Sequence, residues 1–173
     1  DNQQDHLSAL IKSPDLLKKL EPGTITELAT RLITSNKVYT SANQENLIHF
    51  LLTETQKQRG NADFLKVVDQ LNPQLIATNL EQNDYAQAKD ILVLMAKAYQ
   101  ESNRPLDRNI SRFSAALINE SESAGKTAVE ALQKAGIDKS FLKPLVSEML
   151  ESLLDIQSQE GWVYNDYASM RQS

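Results

Sequence analysis

The chain has no cysteine, which excludes disulfides, thiolate metal sites and cysteine nucleophiles together. It has only two histidines, His6 and His49, far apart in sequence. Glycine and proline number 5 each and aromatics make up 6%, so there is little material for hairpin turns and the balance favours helices. No apolar run nears the roughly 18 residues of a membrane span, so no membrane insertion is expected, and no secretory leader is visible. A cationic surface is missing too. Lys18, Lys19, Arg31, Lys66, Lys97, Arg108, Lys134 and Lys143 are scattered among acids in a chain of net charge −5. Nucleic-acid binding needs clustered lysine and arginine to displace counterions. It is not expected here.

What is present suits a helical domain. At 173 residues and 40% hydrophobic, a single domain can bury about 70% of its unfolded surface. It needs no metal or disulfide to hold it. The sequence opens on Asp1 rather than Met, which fits either a processed mature chain or a domain excised from a longer one. Composition leaves the compartment open.

Helix signals recur along the whole length. "QQDHLSALIK" reads as a first short helix. Ser13 as N-cap and Pro14 at the first helical position open the next, which Pro22 and Gly23 end. Thr24 and Glu27 form a capping-box pattern in "TITELATRLI". A longer helix runs from Ser41 to Gly60, the left-handed stop that helices favour. Asn61 opens "NADFLKVVDQL", and Asn72 with Pro73 repeats the cap-then-proline arrangement. Further helices are expected after Pro105, up to Gly136, and over "DKSFLKPLVSEMLESLLDIQSQEG". There Pro144 must either start the main helix or kink it. No segment alternates with period two. The expected class is all-α: an irregular multi-helix bundle or degenerate helical-repeat-like stack of about seven to nine helices. Residues 1–161 form the helical domain of this reading, and residues 162–173 an aromatic C-terminal tail.

The longest apolar run, "ILVLMA" at residues 91–96, indicates the centre of the domain. On a wheel of about 100° per residue, Tyr85, Ile91, Leu92, Leu94, Met95, Ala96, Ala98 and Tyr99 fall within an arc of about 200°. Lys89, Asp90, Lys97 and Gln100 occupy the remainder, with Val93 stranded among them. A surface helix needs an apolar stripe of only about 100°. Neighbours must therefore cover this helix on two sides, leaving Val93 outside.

The motifs that invite a sharper reading fail on particular residues. Tyr85 and Ala88 match the Tyr-x-x-Ala opening of the second helix of a tetratricopeptide repeat. Ile76 and Asn79, however, stand where a small residue and an aromatic belong. Stepping about 34 residues either way meets Leu51 and Asn119 with no second copy, so no repeat family is assigned. "ESESAGKT" ends like a phosphate-binding loop, but Glu120 replaces the required glycine and no strand precedes it. His49 lies one turn after Glu45, which reads as a helix-surface ion pair rather than a catalytic base. Glu148, Glu151 and Asp155 share the polar side of the last helix but lack the turned loop that converges oxygens on a cation. Asn109 and Asn119 begin formal glycosylation sequons in poor, helical contexts.

Two functional classes remain. The first is a non-enzymatic helical protein–protein interaction module, an adaptor or scaffold without a cofactor or metal. Its candidate partner-binding residues are Val93 and the tail aromatics Trp162, Tyr164 and Tyr167, because aromatics dominate interface hot spots. The alternative is an extracytoplasmic sensory domain with a small-molecule ligand between helices. An external apolar groove favours the first class, and a polar-lined internal cavity the second.

Overall fold

A computed structural model of the chain describes residues 9–13, 15–34, 46–71, 85–118 and 122–160. Among them every regular element is helical and no strand occurs. After a helical turn at residues 9–11 come α1 (Leu16–Lys19), α2 (Pro22–Thr34), α3 (Leu47–Arg59), α4 (Asn61–Gln70), α5 (Tyr85–Glu101), α6 (Arg108–Ile118), α7 (Glu122–Lys134) and α8 (Lys139–Glu160).

The packing order makes this a two-layer stack. From α2 onward each helix packs on the next in sequence, while α1, α3, α5 and α7 form one row of neighbours. The other row pairs α2 with α4 and α6 with α8. A chain that zigzags between two rows has the layout of a helical-repeat-like solenoid. The second row is weak between α4 and α6, which makes the stack irregular. Side-chain ties set the helix directions. His49 Nε2 lies 3.4 Å from Asp90 Oδ2 near the starts of α3 and α5. Near their ends, Asn61 Nδ2 donates to Glu101 Oε2 at 2.6 Å. These two helices therefore run parallel. The Asp138 amide, just past α7, donates to Gln100 Oε1 at 2.8 Å, so α7 ends beside the end of α5.

Local chemistry explains the boundaries. Asn46 caps α3 by accepting from the amides of Ile48 at 2.9 Å and His49 at 3.0 Å. Gly60, at φ 89°, then turns the chain straight into α4 in a conformation that favours glycine. Gly136, at φ 81°, follows α7 as expected. Arg59 holds α1 in place, its Nη1 donating to the carbonyls of Leu17 and Lys18, each at 2.9 Å.

Several expected boundaries are corrected. Pro22 does not end a helix; it begins α2, where its missing N–H is harmless. The Glu21 carbonyl receives the amides of Thr24 at 2.9 Å and Ile25 at 3.2 Å, so Thr24 lies inside the helix and is not its cap. Ser13 does not cap α1 either: its hydroxyl donates back to the Ala9 carbonyl at 3.0 Å, and Asp15 holds the N-cap position without a side-chain bond. Pro144 does not start α8, which begins at Lys139 and contains it. The cap-and-proline pair Asn72–Pro73 lies outside the described residues.

The core explains the long apolar run. In α5, Ala88, Ile91, Leu92, Met95, Ala96, Ala98 and Tyr99 are all fully buried, because α3, α4, α6 and α7 all pack against this helix. It is the hub of the stack. On the far side, Leu142, Leu145 and Met149 of α8 are buried as that helix packs on α6. No described helix is long and apolar enough to cross a membrane.

Candidate protein-interaction site

An open groove of about 450 Å³ lies along the outer side of the first row. Helix α5 supplies its floor through Val93 and Leu94; α3 contributes His49, Thr53, Gln56 and Lys57, and α7 contributes Ala131. Val93 and Leu94 are both half-buried against the core, so the expectation of an exposed Val93 needs correction. Helical spacing places Lys89 and Lys97 one turn either side of Val93, and both line the groove.

The charge of this groove is unlike that of the whole chain. Three lysines, Lys57, Lys89 and Lys97, line it against a single acid, Asp90. None of the three has an ion-pair partner among the described residues, whereas Lys18, Arg31, Arg59, Lys66 and Arg104 all do. Asp90 faces His49 Nε2 at 3.4 Å, too poorly aligned for a hydrogen bond. It is an ion pair only when the imidazole is protonated. The expected His49 partner, Glu45, lies outside the described residues.

A second polar cluster sits where α5 passes into α6. Arg104 donates to both carboxylate oxygens of Asp69, at 2.8 and 2.9 Å, and also to Asp107. Its guanidinium stacks 4.3 Å from the centre of the Tyr99 ring. The Tyr99 hydroxyl donates to Asp107 Oδ1 at 2.8 Å, and the Asn109 amide donates to the same oxygen at 3.0 Å. Asp107 thus caps α6 while anchoring the loop. Burial, then the hydrogen bond to Asp107, push the Tyr99 phenol far above its usual range. Burial alone would raise the Asp107 carboxyl, but bonds from Arg104, Tyr99 and the Ile110 amide outweigh it and hold the group below its usual value. Such perturbation often marks catalysis. Here the shifted groups are engaged with one another, the geometry of a fastener between α4, α5 and α6.

The remaining sequence candidates are placed as follows. Gly125, Lys126 and Thr127 lie inside α7, so the phosphate-loop likeness has no loop. Glu148 and Glu151 are exposed on α8, and no group of three or more His, Asp or Glu able to hold a metal occurs among the described residues. The Asn109 side chain is engaged, its Nδ2 donating to Asp69 Oδ1 at 3.1 Å. His6, Asn119, Trp162, Tyr164 and Tyr167 lie outside the described residues. Sequence reasoning missed the grouping of Lys57 with Lys89 and Lys97. The spacing of Lys89, Val93 and Lys97 was readable, but the approach of α3 was not.

No protein family matches the chain, and comparison with curated proteins and with solved structures finds no match either.

Proposed function

We propose that this chain is a non-enzymatic helical protein–protein interaction module, an adaptor or scaffold that binds through the groove over Val93. One observation carries the reading. Three consecutive helices of one row build a groove with an apolar floor and three lysines that lack ion-pair partners among the described residues. Apolar contact at the centre with polar groups around it is the anatomy of an interface. Stacked helix pairs characteristically present such surfaces. The alternative, a small-ligand sensor, calls for an enclosed polar-lined cavity, whereas this groove opens to solvent. Trp162, Tyr164 and Tyr167 remain candidates for a second contact.

Affinity capture from the source organism with wild-type protein and with Val93→Arg tests this. A protein retained by the wild type and lost by Val93→Arg, with helix content unchanged, supports the groove. Equal retention by both overturns its role. A stoichiometric small molecule released from the purified protein, identified by mass spectrometry, would favour the sensor.

A further inference from the structure

The lysines of the groove fall in an order that a partner must match. Helices α3 and α5 run parallel and are tied near both ends, His49 beside Asp90 and Asn61 to Glu101. That register sets Lys57 of α3 level with Lys97 of α5, and Thr53 level with Val93 and Leu94. Lys89 lies one turn before Val93. Along α5 the lining therefore runs cation, apolar floor, cation, with about 6 Å of rise between successive levels. The acids nearby do not cancel this pattern. Asp90 alone lines the groove, and it faces His49. Glu54 accepts from Gln58 Nε2 at 3.0 Å and Glu101 from Asn61 Nδ2 at 2.6 Å, and neither lines the groove. On α7, exposed Glu130 and Lys134 fall on the same side of Ala131, so that helix adds no net charge there. Three lysines and one carboxylate leave two net positive charges over the floor while His49 is neutral.

We infer that the groove accepts an acidic amphipathic helix of another protein, one that sets an apolar side chain between two carboxylates four residues to either side. The proposal rests on the interaction-module reading and names the chemistry of the partner for that same groove. Residues four apart on a helix share a face and rise about 6 Å, the spacing of Lys89, Val93 and Lys97. The apolar side chain then meets Val93 and Leu94. One carboxylate lies between Lys57 and Lys97, and the other reaches Lys89. The two ends differ in strength: Lys57 and Lys97 approach one carboxylate from two helices, whereas Asp90 sits next to Lys89. A strand is the poorer occupant. Strand addition needs an exposed sheet edge, and the lining comes from helices, whose backbone groups bond to one another. A helix brings its own backbone bonds and needs only side-chain contact. The whole chain's charge of −5 opposes the distant approach of an acidic partner. Screening over about 8 Å at physiological salt confines that repulsion and leaves the lysines in the groove to act locally.

Fluorescence anisotropy of the full chain with two fluorescein-labelled, end-blocked peptides is the test. Both peptides are helices rich in alanine and glutamine with a central leucine. One carries glutamate four residues before and after the leucine; the other carries lysine at the same places. The glutamate peptide is expected to bind about tenfold or more tightly than the lysine peptide, and more weakly as salt rises. Lys57→Glu with Lys97→Glu should reverse that preference. Lys97→Glu alone should cost the glutamate peptide more than Lys89→Glu alone. Lys57 and Lys97 are exposed and Lys89 half-buried, and circular dichroism checks that each variant keeps its helix content. Binding of neither peptide, equal binding of both, or a preference that survives the charge reversal overturns the proposal. So does a DNA duplex that displaces the glutamate peptide at lower concentration than the unlabelled peptide does, since the lysines would then serve phosphates. If the peptides fail while Val93→Arg still loses a captured partner, the acidic-helix assignment alone falls and the module reading stands. Glutamate-peptide binding that Val93→Arg leaves untouched overturns both, because the groove would not be the site.

Discussion

Replacing Leu92 with alanine removes three carbon groups from the most enclosed helix of the stack. At about 0.8 kcal/mol for each buried methylene, the transfer contribution is about 2.4 kcal/mol. A cavity contribution adds to it, because α3, α4, α6 and α7 all bear on α5 and the site cannot collapse from one side. The expected loss is about 3–4 kcal/mol, within the span seen for buried leucine truncations. Val93, the next residue, is half-buried and loses only two carbons on conversion to alanine, so about 0.8 kcal/mol is expected. Urea denaturation followed by circular dichroism measures both, with the slope against denaturant unchanged if the two variants alter stability alone. Equal losses at the two positions would refute the reasoning. They would mean that the groove side of α5 is as enclosed as its core side.

Three other outcomes are expected. Asp107→Asn keeps a capping oxygen for α6 but removes the carboxylate that Arg104 and Tyr99 favour. Because the folded carboxyl is held below its usual value, its contribution is present above about pH 4 and fades as pH falls through the depressed folded value. The stability gap between wild type and variant should therefore narrow in acid; a constant gap in chemical denaturation at several pH values would refute this. Pro144→Ala restores an amide within α8 at an exposed position and should raise stability by about 1–3 kcal/mol, with no gain in the thermal melt refuting it. Melts with and without EDTA should coincide, since no His, Asp and Glu group able to hold a metal occurs among the described residues; a drop of several degrees would refute this.

Residues whose meaning is local were legible in the sequence. Gly60 and Gly136 act through backbone conformation within a few positions, and their helices end where expected. The width of the apolar arc on α5 likewise identified a helix with neighbours on more than one side. The cap of α2 was misplaced because Pro22 is compatible with both roles, stopping one helix or opening the next. The fastener around Arg104 was invisible for a different reason: Asp69 lies 35 positions away, and no local pattern announces such a partner. The groove falls between these cases. Lys89, Val93 and Lys97 share a line by spacing alone, yet the line becomes one side of a groove only when α3 and α7 arrive from elsewhere in the chain. His49 makes the same point, since Asp90, the acid 3.4 Å from its Nε2, comes from α5 and not from a neighbouring position in the sequence.

The hub position of α5 bears on how the groove would bind. One side of this helix holds fully buried Ile91, Leu92 and Met95; another presents Val93 and Leu94 to the groove. The floor is thus fixed by the same contacts that stabilise the stack, and recognition side chains on packed helices are held more precisely than on loops. A floor already in place need not be ordered when a partner arrives, which reduces the entropy lost on association. The lysines divide that work differently. They carry no ion pairs among the described residues, so charge reversal at Lys89 or Lys97 breaks no such pair in the folded chain. Stability and binding should therefore separate cleanly along α5: changes at Leu92 unfold the domain, and changes at Lys89 or Lys97 leave it folded while altering what it binds.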